Sequence, residues 1–396
     1  MRPALPLLVR ERSAAHRSLQ VAGIAILSLL AVYASTLNSF RLGQLTVALL
    51  YATAIAGLNL ATGYTGQLSI GHSAFFGLGA YTTGILVASH NWNPLITLIP
   101  AAVLCFATGL LVGLPSLRIR GINLALVTLA LGVAFPELVD RFPGVTGGQI
   151  GLNINVFQLL PPHWTGISIA NRFQYYYWLS AGLLAIVLVL CATLTRSRAG
   201  LAMKATRDRE TAAAAMGVNL AWTKMVVFGL SGAITGVAGS IFAIYLGSLS
   251  ADASFTLTLS ITLITGLVIG GVATTLGPVI GGLAVFFVPY WTENLRQGEA
   301  SELIFGLILI VLMFVMPEGL MGLITRLSRR VLRIEPQPPG PPGRQGGAAV
   351  PAAASGEPPA DAARPADGEQ STDGEQSTAD GAPSPVINHH EERNTA

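Results

Sequence analysis

Residues 63–81 have the side chains best suited to contact a polar solute. Glycines interrupt this segment repeatedly, and hydroxyl, amide and imidazole groups lie between them, although apolar runs flank it on both sides. In bilayer hydrocarbon, a broken helix is tolerated only where protein or a water-filled path satisfies the freed backbone groups. Such a segment therefore predicts a translocation path. The candidate path residues are Gly63, Thr65, Gly66, Gln67, Ser69, Gly71 and His72.

Each of these residues also has a purely structural interpretation. The glycines could break a helix at the path, or they could let two helices pack closely, as small residues do in membranes. Gln67 and Ser69 could hydrogen-bond a zwitterionic solute or a neighbouring helix. His72 could contact a solute, although a histidine ring satisfied by backbone or hydroxyl partners is the commoner situation.

The composition is that of a polytopic membrane protein. Apolar residues make up 52% of the 396 residues, charged residues only 11%, and the mean hydropathy is +0.59. A soluble chain carries about 25% charged residues. The two cysteines, Cys105 and Cys191, both lie in apolar runs, so they predict neither a disulfide framework nor a metal site.

Apolar runs of about 20 residues, the length that crosses a bilayer as a helix, recur along the chain. The sequence therefore predicts an all-α polytopic fold with about ten transmembrane helices surrounded by membrane lipid. The predicted spans are 19–38, 44–62, 68–89, 95–115, 122–139, 175–195, 224–247, 256–276, 278–294 and 302–322.

Positive charge sets the expected orientation of these spans. With the N-terminus inside, sixteen of the 20 Lys and Arg residues within residues 1–333 fall on the cytoplasmic side. We therefore expect both termini to be cytoplasmic. The predicted domains are a basic N-terminus over residues 1–18, a transmembrane domain over 19–333, and a disordered tail over 334–396 that is acidic and rich in Pro, Ala and Gly.

Two predicted loops are long enough to carry a function of their own. The external loop, about 140–174, contains a Gly147-Gly148 pair, which is more often a turn than a contact site. The cytoplasmic loop, about 196–223, is alanine-rich and groups its charges in its first half. We expect a short helix from about 206 to 216 within it.

The sequence predicts a path but no source of energy. The predicted spans contain almost no acidic or basic side chains, which weakens the case for proton or sodium coupling. The phosphate-binding motif GxxxxGK[ST] does not occur, nor does a zinc-binding spacing of His and Glu, so we predict no catalytic site, metal or cofactor. A partner could supply energy by acting on the 196–223 loop, although most loops of this size are only connectors. The basic pI reflects membrane-flanking loops and does not predict nucleic-acid binding.

Several ordered motifs resemble those of the membrane subunits of branched-chain amino acid ABC importers, the Liv type. Residues 57–81, GLNLATGYTGQLSIGHSAFFGLGAY, are similar to the family signature, and TGGQIGL at 146–152 resembles an external element of its M-type subunit. The 196–223 loop resembles the cytoplasmic coupling loop, and VIGGVATTLGPVIGG at 268–282 resembles a late glycine-proline segment. The sequence departs from the family at Ala273, where glycine is usual, and at Thr262, where many relatives have glutamate.

The resemblance implies a division of labour in a bacterial-type plasma membrane. An extracytoplasmic binding protein delivers an amino acid, this chain and an H-type permease subunit form the path, and two ATPase subunits drive it from the cytoplasm. The implied ATPase-coupling residues are Arg207, Asp208, Glu210 and Gly217. The implied external docking residues are Thr146, Gly147 and Gly148.

Two alternatives remain open at the level of sequence. An importer subunit of the same build could carry urea or another small polar solute instead of an amino acid. A stand-alone secondary carrier or channel would need no ATPase partner.

Overall fold

The protein is mostly helical. In chain order its helices are α1 (Ser39–Leu58), α2 (His72–His90), α3 (Leu98–Gly113), α4 (Ile122–Arg141), α5 (Pro143–Thr146), α6 (Arg172–Arg196), α7 (Arg198–Asp208), α8 (Glu210–Ala215), α9 (Leu220–Leu246), α10 (Ala251–Ser254), α11 (Leu257–Gly270), α12 (Gly277–Leu295) and α13 (Gly319–Val331). This computed structural model describes residues 7–10, 32–33, 35–114, 122–155, 161, 171–295, 306–307, 310 and 319–335.

Short strands and two irregular helical segments complete the described part of the chain. The strands are β1 (Leu7–Arg10), β2 (Leu152–Asn153), β3 (Ser248–Leu249) and β4 (Leu332–Glu335). β1 pairs with β4 in parallel, and β2 pairs with β3 in antiparallel fashion. A 3₁₀ turn covers Gly148–Ile150. α1 continues without interruption into a π-helical segment, Asn59–Tyr64, a form that is often found at functional sites.

Within the described residues, five helical stretches are long and apolar enough to cross a membrane. α3 and α12 are apolar but shorter. This pattern agrees with the predicted all-α membrane fold. The five stretches are Ser39–Tyr64, Asn123–Arg141, Arg172–Arg196, Leu220–Leu246 and Ala251–Gly270.

α9 lies at the centre of the bundle and packs against α1, α2 and α3. In the most apolar 18-residue stretch of α9, 83% of the residues are buried, whereas in that of α6 only 28% are buried. Glycines permit this close packing, because a Cβ atom at Gly236 would overlap Cys105 and one at Gly239 would overlap the Phe76 carbonyl. α9 therefore sets the spacing of the helices that carry the candidate path residues.

The two ends of the bundle are distinguished by their loops. At the end that we call the loop end, α7 and α8 lie between α6 and α9, and Gly66 packs on the side chain of Arg207. At the opposite end, Gly84 of α2 packs on Leu152 and Leu249 of the β2–β3 pair. Residues 63–66 therefore lie beside the 196–223 loop.

Most predicted spans coincide with helices. The spans predicted between residues 44 and 294 correspond to α1 to α4, α6, α9, α11 and α12. The predicted spans 19–38 and 302–322, and the predicted disordered tail beyond residue 335, fall largely or wholly outside the described residues.

Two segments differ from the sequence-based expectations. The helix expected over 206–216 is two helices, α7 and α8, because Arg209 between them is extended (φ −153°, ψ 104°). The last two predicted spans before residue 294 are separated by a turn over residues 271–276 rather than by Gly277-Pro278 alone. Gly271 (φ +112°) and Ala273 (φ +59°) turn the chain there, and Pro278 lies in the first turn of α12, where it needs no amide partner.

Candidate functional site

The predicted path segment begins as the π-helical end of α1 and leaves it through a tight turn. Thr65 donates from Oγ1 to the Ala61 carbonyl (2.6 Å), and the backbone N–H of Gln67 donates to the same carbonyl (2.9 Å). Gly66 between them has a left-handed conformation (φ +72°), which favours glycine because a Cβ would be strained. The segment is thus an ordered turn with its own hydrogen bonds.

The other two candidate glycines provide close packing. A Cβ atom at Gly63 would overlap the side-chain oxygen of Asn59, and one at Gly71 would overlap the backbone carbonyl of Thr128 in α4. The sequence left two interpretations open for these glycines, a break in the helix or close packing of helices. The geometry supports close packing at Gly63 and Gly71, and a break in the helix at Gly66.

Gln67 points inwards and is 4% exposed. Its Nε2 donates to Thr65 Oγ1 (3.0 Å) and to the Lys224 carbonyl (3.2 Å). Because a carbonyl can only accept, and because Thr65 Oγ1 already donates to the Ala61 carbonyl, both contacts require the NH₂ group. Gln67 Oε1 is left buried with no hydrogen-bond partner among the described residues.

Ser69 and His72 belong to a continuous series of buried hydrogen bonds, which we call the His72 chain. Ser231 of α9 donates to the Gly57 carbonyl of α1 (2.6 Å), so its oxygen accepts from His72 Nε2 (2.7 Å). An imidazole that is 1% exposed is neutral, because an unpaired charge there would be costly, so Nδ1 carries no proton and accepts from Ser69 Oγ (2.8 Å). This neutral His72 chain joins α1, α2 and α9, and neither ring nitrogen remains available to a solute.

Neighbouring helices also satisfy the start of α2. The Ile70 amide donates to Thr128 Oγ1 of α4 (3.0 Å), and the Ser73 amide donates to Ser260 Oγ of α11 (2.9 Å). α2 has no side-chain cap of its own, and the Ser260 hydroxyl serves one of its first amide groups while the Thr128 hydroxyl serves the amide just before its N-cap Gly71. The first turn of α2 is therefore fixed relative to α4 and α11.

Asn59 was not among the candidates from sequence, yet it makes the longest-range polar contact of the segment. Its Nδ2 donates to the Thr274 carbonyl (2.8 Å), and its Oδ1 accepts from the Ala273 amide (2.8 Å). Asn59 is 3% exposed, and together these two contacts tie the π-helical segment to the 271–276 turn. The sequence signal that could have identified Asn59 is an amide side chain within an apolar run, just before the glycine-rich segment that begins at Gly63.

Two of the four candidate coupling residues are engaged with the bundle. Arg207 Nη1 donates to the Gly63 carbonyl (2.5 Å), and Glu210 forms an ion pair with Lys224 Nζ of α9 (2.6 Å). Asp208, the last residue of α7, is exposed. Gly217 is left-handed (φ +84°) and ends the turn that follows α8.

The candidate external residues form a compact turn after α4. Thr146 Oγ1 donates to the Val139 carbonyl (2.7 Å) and accepts from the Gly148 amide (3.2 Å). Gly147 and Gly148 both have positive φ (+79° and +54°). The pair is therefore a turn, and it presents Ile150, which is 92% exposed.

No group of three or more His, Cys, Asp or Glu side chains that could hold a metal ion occurs in the described part of the chain. What the described residues do form is a multi-span helical bundle, with a buried polar chain between helices and a charged loop held against its end. These features define a helical membrane protein with several spans.

The particular family follows from sequence comparison. Residues 40–313 match the family described as "Branched-chain amino acid transport system / permease component", and the chain belongs to that family.

Curated relatives of the chain are also named as permease proteins of branched-chain amino acid transport. It is 28% identical over 299 residues to the high-affinity branched-chain amino acid transport system permease protein LivM of Escherichia coli (strain K12), covering 70% of this chain and 68% of that protein. It is 21% identical over 284 residues to LivH of the same strain, covering 69% of this chain and 91% of that protein. The probable LivM of Methanocaldococcus jannaschii is 21% identical over 272 residues, which are 62% of this chain and 77% of that protein. No solved structure gives a significant match.

Proposed function

We propose that this protein is the M-type permease subunit of an ABC importer for branched-chain or related amino acids. Family membership supports the transport class, and the higher identity to LivM than to LivH supports the subunit type. The observation that carries the mechanism is the Arg207–Gly63 hydrogen bond, because it joins the 196–223 loop directly to the predicted path segment.

We propose that the loop both contacts an ATPase subunit and holds the bundle. Arg207 and Glu210 face the bundle, whereas Asp208 is exposed and Met216, just before Gly217, is 87% exposed. A protruding apolar side chain suits insertion into a partner groove. The outer side of the loop would then meet the ATPase, while its inner side moves the helices.

Within the path segment, Gln67 is our proposed contact for the cargo. The His72 chain uses both ring nitrogens of His72 and the hydroxyl proton of Ser69, whereas Gln67 Oε1 is buried without a partner among the described residues. A carbonyl oxygen of this kind can accept from the ammonium group of an amino acid once the segment opens. We expect Gln67→Leu to raise the KM for leucine at least threefold in reconstituted transport, with ATP hydrolysis retained. An unchanged KM would exclude this contact.

The topology and partners belong to the same proposal. Parallel pairing of β1 with β4 brings residues 7–10 next to residues 332–335, which supports termini on one side of the membrane and hence an even number of spans. The loop end would face the cytoplasm of a bacterial cell. The turn at Thr146, Gly147 and Gly148, with its exposed Ile150, would receive the extracytoplasmic binding protein at the opposite end.

Reconstitution with the H-type permease, two ATPase subunits and the binding protein tests this function. We expect ATP-dependent leucine uptake into proteoliposomes, and no uptake when the ATPase cannot hydrolyse ATP. Uptake that continues with the hydrolysis-dead ATPase and follows an ion gradient would overturn the proposal. Urea uptake without leucine uptake would retain the mechanism but refute the cargo.

A further inference from the structure

Asn59 holds a turn that lies more than 200 residues away in sequence. Its amide group makes two hydrogen bonds of 2.8 Å, one to the Thr274 carbonyl and one from the Ala273 amide. Because a carbonyl only accepts and an amide N–H only donates, the side chain has one workable orientation. Asn59 itself is 3% exposed and the two bonds are partly buried, so removing the side chain leaves polar groups with restricted access to water.

The turn that Asn59 holds is itself unusual. Ala273 lies in the left-handed region (φ +59°), which is unfavourable for a residue with a Cβ, and Gly271 has φ +112°. Thr274 Oγ1 donates to the Gly271 carbonyl (2.7 Å) and accepts from the Gly277 amide (3.1 Å), which closes the turn between α11 and α12. A left-handed alanine persists where surrounding contacts fix it, and Asn59 supplies one of those contacts.

Asn59 also lies in the same π-helical segment as Gly63, the residue that the 196–223 loop contacts through Arg207. Arg207 binds the carbonyl of Gly63, and a Cβ at Gly63 would overlap Asn59 Oδ1 and approach the Ala273 amide (2.9 Å). Arg207, Gly63, Asn59 and Ala273 thus form a continuous series of contacts. It runs from α7, through the end of α1, to the turn between α11 and α12.

We propose that Asn59 is the positioning residue that transmits movement of α7 to the α11–α12 turn. This inference rests on the proposed function. A displacement of Arg207 pulls on the Gly63 carbonyl, and the π-helical segment passes that displacement to the turn through the two Asn59 hydrogen bonds. The series passes through a π-helical segment, a rare form that is frequent at functional sites.

Coupling can be measured in the full reconstituted complex as leucine transported per ATP hydrolysed. Asn59→Leu keeps the approximate side-chain size but removes both hydrogen bonds, and Asn59→Asp keeps the acceptor for the Ala273 amide but loses the donor to Thr274. We expect Asn59→Leu to lower the ratio at least tenfold and Asn59→Asp to lower it less, with both complexes assembled and hydrolysing ATP. The matched control is Asn93→Asp, in the exposed turn between α2 and α3, where the acceptor for the Leu95 amide is retained. It should leave the ratio unchanged.

A second comparison separates transmission from simple stability. If Asn59 and Arg207 act in one series, the double variant Asn59→Leu/Arg207→Gln should lower the ratio no further than the worse single variant. Full additivity of the two effects would overturn the proposal, as would a wild-type ratio in Asn59→Leu. Parallel loss of hydrolysis, transport and assembled complex in both Asn59 variants would also overturn it, since that pattern marks a purely structural residue. Failure of the wild-type complex to couple hydrolysis to transport would instead refute the proposed function.

Discussion

The two polar regions at the loop end are built from different chemistry. The His72 chain uses only neutral groups, and Ser69, His72 and Ser231 are each at most 1% exposed. The contacts of the 196–223 loop use charged groups, and the Glu210 side chain is 29% exposed. The first region joins transmembrane helices to one another, whereas the second joins a surface loop to those helices.

This difference assigns the regions different mechanical roles. A buried neutral hydrogen bond is costly to break, because no water is present to replace the lost partner. The Arg207 side chain is exposed, so its hydrogen bond to the Gly63 carbonyl can exchange with water at small net cost. The His72 chain therefore suits a fixed part of the bundle, and the Arg207 contact suits a part that is released and remade in the proposed transport cycle.

The largest effect is expected from His72→Ala. The change leaves Ser69 and Ser231 without their ring partners and opens a cavity beside Phe75 and Phe228, whose rings pack against the imidazole. We expect the free energy of unfolding to fall by about 3–5 kcal/mol. Thermal denaturation of the purified protein in detergent measures this.

His90→Ala is the matched control for that substitution, because His90 ends the same helix and is exposed. Its denaturation temperature should stay within error of the wild type. A stable His72→Ala protein with an altered KM for leucine would show that the ring contacts the cargo, and the contrast between the two regions would then be lost.

Glu210→Gln is expected to have the next largest effect. It removes the carboxylate partner of Lys224, whose side chain is only 8% exposed. We expect a loss of about 3 kcal/mol, at the lower end of the range for breaking a buried pair, since Glu210 is partly exposed. Denaturation in detergent again provides the measurement.

The double variant Glu210→Gln/Lys224→Met sharpens the interpretation. Removing both charges should restore most of the stability, because no buried ammonium group then lacks its counter-charge. If the double variant is as unstable as the sum of the single variants, the ion pair does not hold α8 to α9.

Gly71→Ala tests the close contact beside the His72 chain. The added methyl would overlap the Thr128 carbonyl, a backbone atom that cannot move without α4. We expect a loss of about 1–3 kcal/mol. Gly182→Ala provides the comparison, since no atom lies within 4 Å of a Cβ there. Equal stability of the two variants would show that α2 and α4 are not fixed at this contact.

The helices were predictable from sequence, whereas the partners of their polar side chains were not. Apolar length alone located α1, α6 and α9, since each run approaches the thickness of a bilayer. The contacts that decide the role of His72 join residues 159 positions apart, and those of Asn59 join residues more than 200 apart. A pattern in one chain does not reveal which helices are neighbours.

The placement of the coupling residues shows the same limit. The sequence located the charged loop and Gly217, because charge grouping and glycine are local signals. It could not show that Arg207 and Glu210 face the bundle while Asp208 and Met216 face outwards. That distinction depends on the extended Arg209, which reorients α8 relative to α7.

The smallest expected effect concerns Ala273, at the far end of the Asn59 contacts. Ala273→Gly relieves a left-handed alanine, worth roughly 1–2 kcal/mol, but gives the unfolded chain more freedom, so we expect a net gain below about 1 kcal/mol. Ala107→Gly, at an exposed position within α3, should instead lose about 1 kcal/mol. Denaturation of both variants provides the test. If Ala273→Gly is as destabilising as Ala107→Gly, the turn carries no strain, and Asn59 does not hold it in an otherwise unfavourable conformation. A small gain would place the strained turn with the parts of the loop end that can move, and would set it apart from the fixed His72 chain.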